Sequence, residues 1–480
     1  MNKRNWQIVY SDYTGPEKKA IELINKEVGA HILRDGDRYT FYTLDCIRAE
    51  KAVLDKNSIV VGAYDKNSVV ARYINKEEIP ENGYVVKVMD NPDNAEIKLV
   101  LITALNQREV FYGAVDFVDD YFSGKVFRRA ELNFYNELFD HPLPDYYNAS
   151  SPVIKTRNIF TWGHPISDYE NYIDNMARLK FNQLIVWNDF VPINAKDIAD
   201  YAHQYGIELI WGFAWGWSRK CDEIDLEQLD KLTEEIVQKY EAEYANCGAD
   251  GIYFQSFTEL KQEYIGGKLI AEVVTDFVNK TSDELLKRYP DLKIQFGLHA
   301  LSVKEKLEYI KNVDRRIDIV WEDCGTFPYT YQPYITSEED YAKTKQFTTD
   351  ILALREGCVD GVLYKGHLIL DWEGDHFVHQ TGHYIMGCAH KRTVANDRKI
   401  EEPLWKDFQK GWILNGKYVY DMTCHIRDMK NDKLTIGVAG QLTNGIWYPF
   451  ALLGQILWEC DKPYDQIVEK VMMRTSVDMV

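Results

Sequence analysis

The sequence predicts an α/β protein, a (β/α)8 TIM barrel preceded by a small α+β sandwich domain. Three observations lead there. From Arg157 onward an apolar strand, a polar loop and an amphipathic helix recur eight times. The strand runs are apolar on both faces, as parallel strands covered by helices must be. The chain of 480 residues exceeds what one core serves, leaving about 150 residues in front of a barrel of about 250 or more.

In the first part, expected to form a domain over 1–150, the runs QIVY, YTFYTL, SIVVGAY, GYVVKVM and IKLVLITA have β character. The stretches PEKKAIELINKEVGAHIL and VFYGAVDFVDDYF are amphipathic and helical. FDHPLPDYYNASSPV, rich in Pro, Asn and Ser, is expected to be a linker. The barrel, expected over 151–480, takes its strands from NIFTW (158–162), FNQLIVWN (181–188), IELIWGFAWG (207–216), DGIYFQSF (250–257), LKIQFGLHA (292–300), RIDIVWED (316–323), VDGVLYKG (359–366) and LTIGVAG (434–440). Helical patterns such as DYENYIDNMARL, AKDIADYAHQYG and PFALLGQILWECD lie between or after them.

Composition narrows the function. A net charge of −19 repels phosphate backbones, so nucleic acid is not expected as a partner. No apolar run reaches the roughly 18 residues of a membrane span and none near the start has signal-peptide form, which places the expectation in the cytoplasm without membrane association. Eight scattered cysteines without a CxxC pair read as reduced thiols rather than a disulfide or zinc framework. No GxGxxG or Walker-type loop follows an early strand, and no cofactor or metal is expected. The aromatic load, 12 Trp, 32 Tyr and 20 Phe, suits stacking on sugar rings where it falls at strand ends, and core packing elsewhere.

Barrel chemistry sits at the carboxyl ends of the strands. Tryptophans and carboxylates gather there, as glycosidic bond cleavage requires: one acid protonates the leaving oxygen while a second carboxylate activates water or attacks the sugar. Glu259, after the fourth strand in FQSFTEL, is the expected acid, its pKa to be raised by aromatic neighbours. Asp371, in KGHLILDWEGD, is the expected base, with Glu373 beside it. Glu322 and Asp323 are further candidates, of which alternation along an extended strand lets only one face the pocket. Substrate contacts are expected from Trp162, His164, Trp187, Asn188, Gln255, His299, Trp321, His367 and Trp372. Trp215 and Trp217, two apart, share one side of an extended segment and could stack on sugar. Arg157 and Lys365 are the cations to meet a sugar carboxylate.

Several of these segments resemble the α-glucuronidase family of glycoside hydrolases, and more loosely the β-hexosaminidases that also join a small α/β domain to a barrel. TRNIFTW (156–162) resembles the start of that family's barrel, and DIADYAHQYGIELIWGFAW (197–215) its third strand with the helix before it. YFQSFTE (253–259) is similar to the stretch ending in the general-acid glutamate, and VLYKGHLILDW (362–372) to the lysine-containing motif ending in a base aspartate. The resemblance implies Glu259 as acid and Asp371 as base. It differs in placing Glu322 where the family has an arginine.

The expected activity is hydrolysis of small oligosaccharides or glycosides, uronic-acid-containing ones among them, with a homodimer left open. Two alternatives stand beside it: a divalent-metal-dependent sugar isomerase or epimerase using Glu259, His299, Glu322 and Asp371, and a non-catalytic sugar-binding barrel.

Overall fold

In the computed structural model the chain divides into two compact units, residues 1–152 with 203–206, and residues 153–202 with 207–480. The structure describes residues 6–29, 44–127, 143–162, 166–187, 190–216, 224–326, 328–331, 337–365, 382–429, 433–438 and 447–472. Of 29, 124–127, 162, 397, 401, 404 and 434–438 it describes the backbone alone.

The first unit is built on a six-stranded sheet of order β2-β1-β3-β5-β4-β6. Its strands are β1 (Trp6–Tyr10), β2 (Asp45–Arg48), β3 (Asn57–Ala63), β4 (Tyr84–Asn91), β5 (Asn94–Ala104) and β6 (Tyr146–Ser150). The β1, β2, β3 and β5 pairings are parallel, whereas β4 runs antiparallel to both β5 and β6. Helices α1 (Gly15–Ile24) and α2 (Gln107–Asp116) accompany this sheet. One sequence expectation needs correction and another lies largely untested. The run YTFYTL falls almost wholly outside the described residues, and β2 is formed by the next residues, DCIR. Tyr146–Ser150, expected to be linker, is instead the edge strand β6, because its backbone pairs antiparallel with the free side of β4 and so satisfies that strand's hydrogen-bonding groups.

At the amino end of α1 the buried Glu17 carboxylate closes the preceding loop. Its Oε1 accepts the Ser11 and Asp12 backbone N–H groups at 3.0 and 2.6 Å and the Ser11 hydroxyl at 2.8 Å. A side chain thus satisfies loop donors that burial would otherwise strand.

The second unit holds eight parallel strands: β7 (Thr156–Trp162), β8 (Gln183–Trp187), β9 (Glu208–Ala214), β10 (Gly251–Gln255), β13 (Lys293–Leu298), β14 (Ile317–Trp321), β15 (Gly361–Tyr364) and β16 (Lys433–Val438). A small hairpin, β11 (Tyr264–Ile265) and β12 (Lys268–Leu269), interrupts the series. Each barrel strand pairs with the next, and β16 pairs with β7, so that the sheet closes. Between the strands run α3 (Tyr169–Arg178), α4 (Ala195–His203), α5 (Leu229–Lys239), α6 (Ile270–Arg288), α7 (Leu307–Ile310), α8 (Glu338–Leu352) and α9 (Lys391–Asp428), and α10 (Tyr448–Glu459) and α11 (Tyr464–Met472) follow β16. Local sequence starts these helices: the Asp168 carboxylate accepts the Asn171 N–H of α3, and the Ser337 hydroxyl accepts that of Asp340 in α8. In contrast α10, YPFALLGQILWE, is apolar almost all round and buried at every position, as a helix enclosed by neighbours must be.

Alternation sorts the strand residues into two sets. Phe160, Ile185, Trp187, Ile210, Tyr253, Val320 and Leu363 pack together inside the barrel. The residues between them face the helices, as the stack of Phe254 between Trp215 and Phe296 illustrates. Toward the amino ends the interior turns polar, with Lys433 on Asp318 at 2.6 Å and Gln295 donating to Gln183 at 3.0 Å. Among the described residues no helix is long and apolar enough to cross a membrane.

Candidate functional site

The inward set continues past the last packed layer into chemistry. Two residues beyond Tyr253, Gly297, Val320 and Leu363 come Gln255, His299, Glu322 and Lys365, so the same alternation that fills the barrel delivers four polar side chains to the carboxyl ends of β10, β13, β14 and β15. All four are buried. Room for them depends on Gly297, where a Cβ atom would collide with the Tyr253 hydroxyl and lie 2.5 Å from its Cζ.

His299 is the centre. Its Nδ1 is 2.9 Å from Asp323 Oδ1, and its Nε2 lies 3.3 Å from Glu322 Oε2 and 3.7 Å from Glu259 Oε2. Lys365 Nζ stands 3.6 Å from Asp323 and 4.0 Å from Glu322. The Gln255 amide donates to Glu322 Oε1, and the Ala300 N–H donates to Asp323 Oδ2 at 2.8 Å. Burial opposes charge on the His299 ring most strongly. The Glu322 and Asp323 carboxylates outweigh it, against a smaller contribution from Lys365, and hold its pKa above the ordinary histidine value. Tyr253 completes the floor: burial first, then the Glu322 charge, keeps its phenol protonated far above the usual range.

Contrary to the expectation from alternation, both Glu322 and Asp323 face this cluster. The reason is that β14 ends at Trp321 and the chain turns immediately, which brings Asp323 round to the opposite nitrogen of the same ring. Glu259 differs from both. It closes a single 3-10 turn after β10, pinned where the Ser302 hydroxyl and N–H both reach the Thr258 carbonyl, at 2.6 and 3.1 Å. Its side chain is 36% exposed, against at most 1% for His299, Glu322 and Asp323. The aromatic enclosure expected around Glu259 is therefore incomplete, and the carboxylate opens to solvent above a buried charged layer.

Four predicted contacts belong to the core. Arg157 lies at the amino end of β7, away from the carboxylates, where its guanidinium donates to the Lys180, Ile154 and Lys155 carbonyls at 2.7, 2.8 and 2.8 Å and stacks on Trp458. Trp215 is fully buried against Phe254, its ring centroid 3.7 Å away. Trp321 points outward, edge-on to Phe347 of α8. Trp187 fills the barrel interior against Tyr253 and Gly212. Trp162 ends β7 in register with Trp187. His164, Asn188, Trp217, His367, Asp371, Trp372 and Glu373 lie outside the described residues.

Two contributors escaped the sequence reading, Tyr253 and the Ala300 N–H. Tyr253 was within reach, since it precedes Gln255 by two on one strand; the amide left no side-chain signal. On the rim, the segments after β8 and before α9 clip together. The Asn194 amide exchanges two 3.0 Å hydrogen bonds with the Met386 backbone, and the Ile193 N–H donates to the Tyr384 carbonyl at 2.8 Å. Among the described residues, no group of three or more His, Cys, Asp or Glu side chains is arranged to hold a metal ion.

No protein-family model matches the chain, and no curated protein matches it. Solved structures do. CpGH84D aligns with a TM-score of 0.53 at 12% identity, over 97% of this chain and 68% of that one. The family GH115 4-O-methyl-α-glucuronidase BtGH115A, with specificity for decorated arabinogalactans, aligns at 0.52 and 12%, over 96% and 57%. A GH138 enzyme targeting pectin rhamnogalacturonan II aligns at 0.50 and 11%, over 96% and 64%. At such identities the likeness is one of fold. The chain spans between about half and two thirds of the length of these proteins.

Proposed function

We propose that this chain is a glycoside hydrolase cleaving small oligosaccharides or glycosides by paired-carboxylate chemistry, with Glu259 as proton donor. One observation carries the reading: a solvent-facing carboxylate just beyond β10 stands over a buried layer of two carboxylates, a histidine and a lysine supplied by the next three strands. The fold shared with a 4-O-methyl-α-glucuronidase and an enzyme targeting a pectin supports a carbohydrate substrate.

In this reading Asp323 is a positioning residue. It holds His299 by Nδ1, leaving Nε2 toward Glu322 and Glu259. The latter two oxygens, 3.3 and 3.7 Å from one nitrogen, are separated by no more than the sum of those distances, an upper bound that excludes the widest of the roughly 5 to 9.5 Å separations over which two carboxylates flank a scissile bond. Glu322 is thus a partner for Glu259, alongside Asp371 and Glu373, the base candidates of the following segment. Lys365, expected to meet a uronate, already faces two protein carboxylates, which favours uncharged glycosides over uronides.

The test is a panel of aryl glycosides, uronides included, assayed with the wild type and Glu259→Gln. Hydrolysis of at least one by the wild type, reduced about 10²-fold or more in the variant, is expected. Absence of hydrolysis throughout, together with a metal-dependent sugar interconversion, refutes the assignment.

A further inference from the structure

Helix α9 is covered along only part of its length. From Trp405 onward its buried side chains Trp405, Phe408, Trp412, Val419, Met422 and Ile426 fall at alternating steps of three and four, with the half-buried Asn415 filling the one gap. That is a heptad seam, packed here on α8 and α10 of the same chain. Carried toward the amino end, the seam continues as Lys391, Val394, Arg398 and Glu401. There the cover ends: among the described side chains from Lys391 to Pro403 none is buried, and Val394 alone is half-buried. The stretch also gains little helix stability of its own. It spans about four turns, a length at which an isolated helix is marginal in water. Thr393, Val394, Asn396 and Asp397 are mediocre helix formers. Lys391 and Arg392 open the first turn, which holds no acidic residue, although the helix dipole favours negative charge there. Pro403 lacks the N–H that would bond back to the Lys399 carbonyl, which weakens the link to the packed half.

We propose that the amino-terminal turns of α9, residues 391–402, pair antiparallel with the same turns of a second copy of this chain. This inference is independent of the glycosidase reading. Charge complementarity selects that occupant. The seam positions 391, 394, 398 and 401 are three, four and three residues apart, a spacing that reads the same in both directions. A copy laid in reverse about a two-fold axis at Asn396 therefore sets Lys391 against Glu401 and Val394 against the aliphatic stem of Arg398. Each contact is made twice, as an isologous interface requires. Parallel pairing would instead set Lys391 on Lys391 and Glu401 on Glu401. The acidic residues of the second copy also bring to the first turn the negative charge that its own sequence withholds. One helix pair buries less than about 1,200 Å² in total, the class of weak and transient contacts, so the dimer is expected to dissociate in the micromolar range.

The full chain is followed by sedimentation velocity across the micromolar range, beside hydrogen exchange of peptides covering 391–402. A reversible monomer–dimer equilibrium is expected, with exchange in those peptides slowing as the dimer fills. Lys391→Glu and Glu401→Lys should each weaken the dimer about ten-fold or more, because two symmetric contacts become like-charged. Combined in one chain they should restore it to within about three-fold of wild type, each contact again joining opposite signs. Lys399→Glu, the same charge change off the seam, should move the dissociation constant by less than about three-fold. Lys391→Glu also separates pairing from local unfolding. An acidic first turn steadies a helix by itself, so loss of the dimer in this variant cannot come from a frayed end. A chain that stays a 56.0 kDa monomer throughout, a dimer indifferent to the single substitutions, or one that the charge-swapped pair fails to restore overturns the proposal.

Discussion

Replacing Arg157 separates a core cation from a substrate-binding one. Its guanidinium supplies donors to three backbone carbonyls at 2.7–2.8 Å and lies 5.1 Å from the Trp458 ring centroid, with 1% of the residue exposed. Arg157→Met leaves those carbonyls without this donor at about 1 kcal/mol each, and removes a stack worth about 0.5–1 kcal/mol. The expected destabilisation is therefore about 3–4 kcal/mol. Arg157→Lys, with one ammonium instead of a planar fork, should recover less than half of it. Urea unfolding followed by tryptophan fluorescence measures the change in the barrel transition, and a sugar-binding titration at low urea measures the site. A loss below about 1 kcal/mol, or unchanged stability with loss of sugar affinity, would refute the placement of Arg157 in the core.

Three other perturbations probe the cluster and the first unit. Gly297→Ala forces its new methyl group against Tyr253 and should cost about 1–3 kcal/mol in the same unfolding measurement; an alanine variant as stable as wild type would contradict the geometry. Folding raises the His299 pKa, so the stability contributed by its charge is fully present below about 6.5 and disappears as pH rises through the folded value. NMR titration should place that value above a free imidazole's, and Asp323→Asn should lower it; equal values in the two proteins would disprove the contact. Glu17 is pushed upward mainly by burial, with its hydrogen bonds opposing. Its contribution to stability is therefore greatest below the unfolded carboxylate value and declines as pH rises through the folded one. Glu17→Ala should cost about 1–3 kcal/mol by stranding the Ser11 and Asp12 amides, whereas Glu17→Gln, which still offers an acceptor, should cost much less in parallel melts.

What could be read in the sequence was what repeats. Apolar runs of strand length alternating with 3.6-residue periodicity located each of the eight barrel strands within a few residues, because burial on both faces leaves a continuous signature. The short first strand of the sandwich was found for the same reason, while β6 was missed: an edge strand such as YYNAS is half exposed and its Asn and Ser imitate a loop. At the site, Glu259, His299, Glu322 and Lys365 were visible as polar residues at strand ends. The contacts that join them to one another and to Asp323 and Gln255 were not. The contact of Asp323 with His299 depends on where β14 stops, and a one-residue difference in a strand terminus reverses the side a residue faces. The tryptophans misled in the opposite direction, since Trp215 and Trp321 occupy strand ends yet turn toward helices, a distinction that requires knowing which parity is inward.

The bonded pair Asn194 and Met386 has a bearing on how this protein could diversify. Lys365 stands beside Glu322 and Asp323, and the chain is fastened again from His383 to Gly387, beyond β16 and β7, to backbone near Val191 and Ile166. A span secured at both feet can change length or sequence between them without moving either foothold. The two footholds therefore keep their places by separate means, Lys365 beside its two carboxylates and His383–Gly387 on backbone hydrogen bonds.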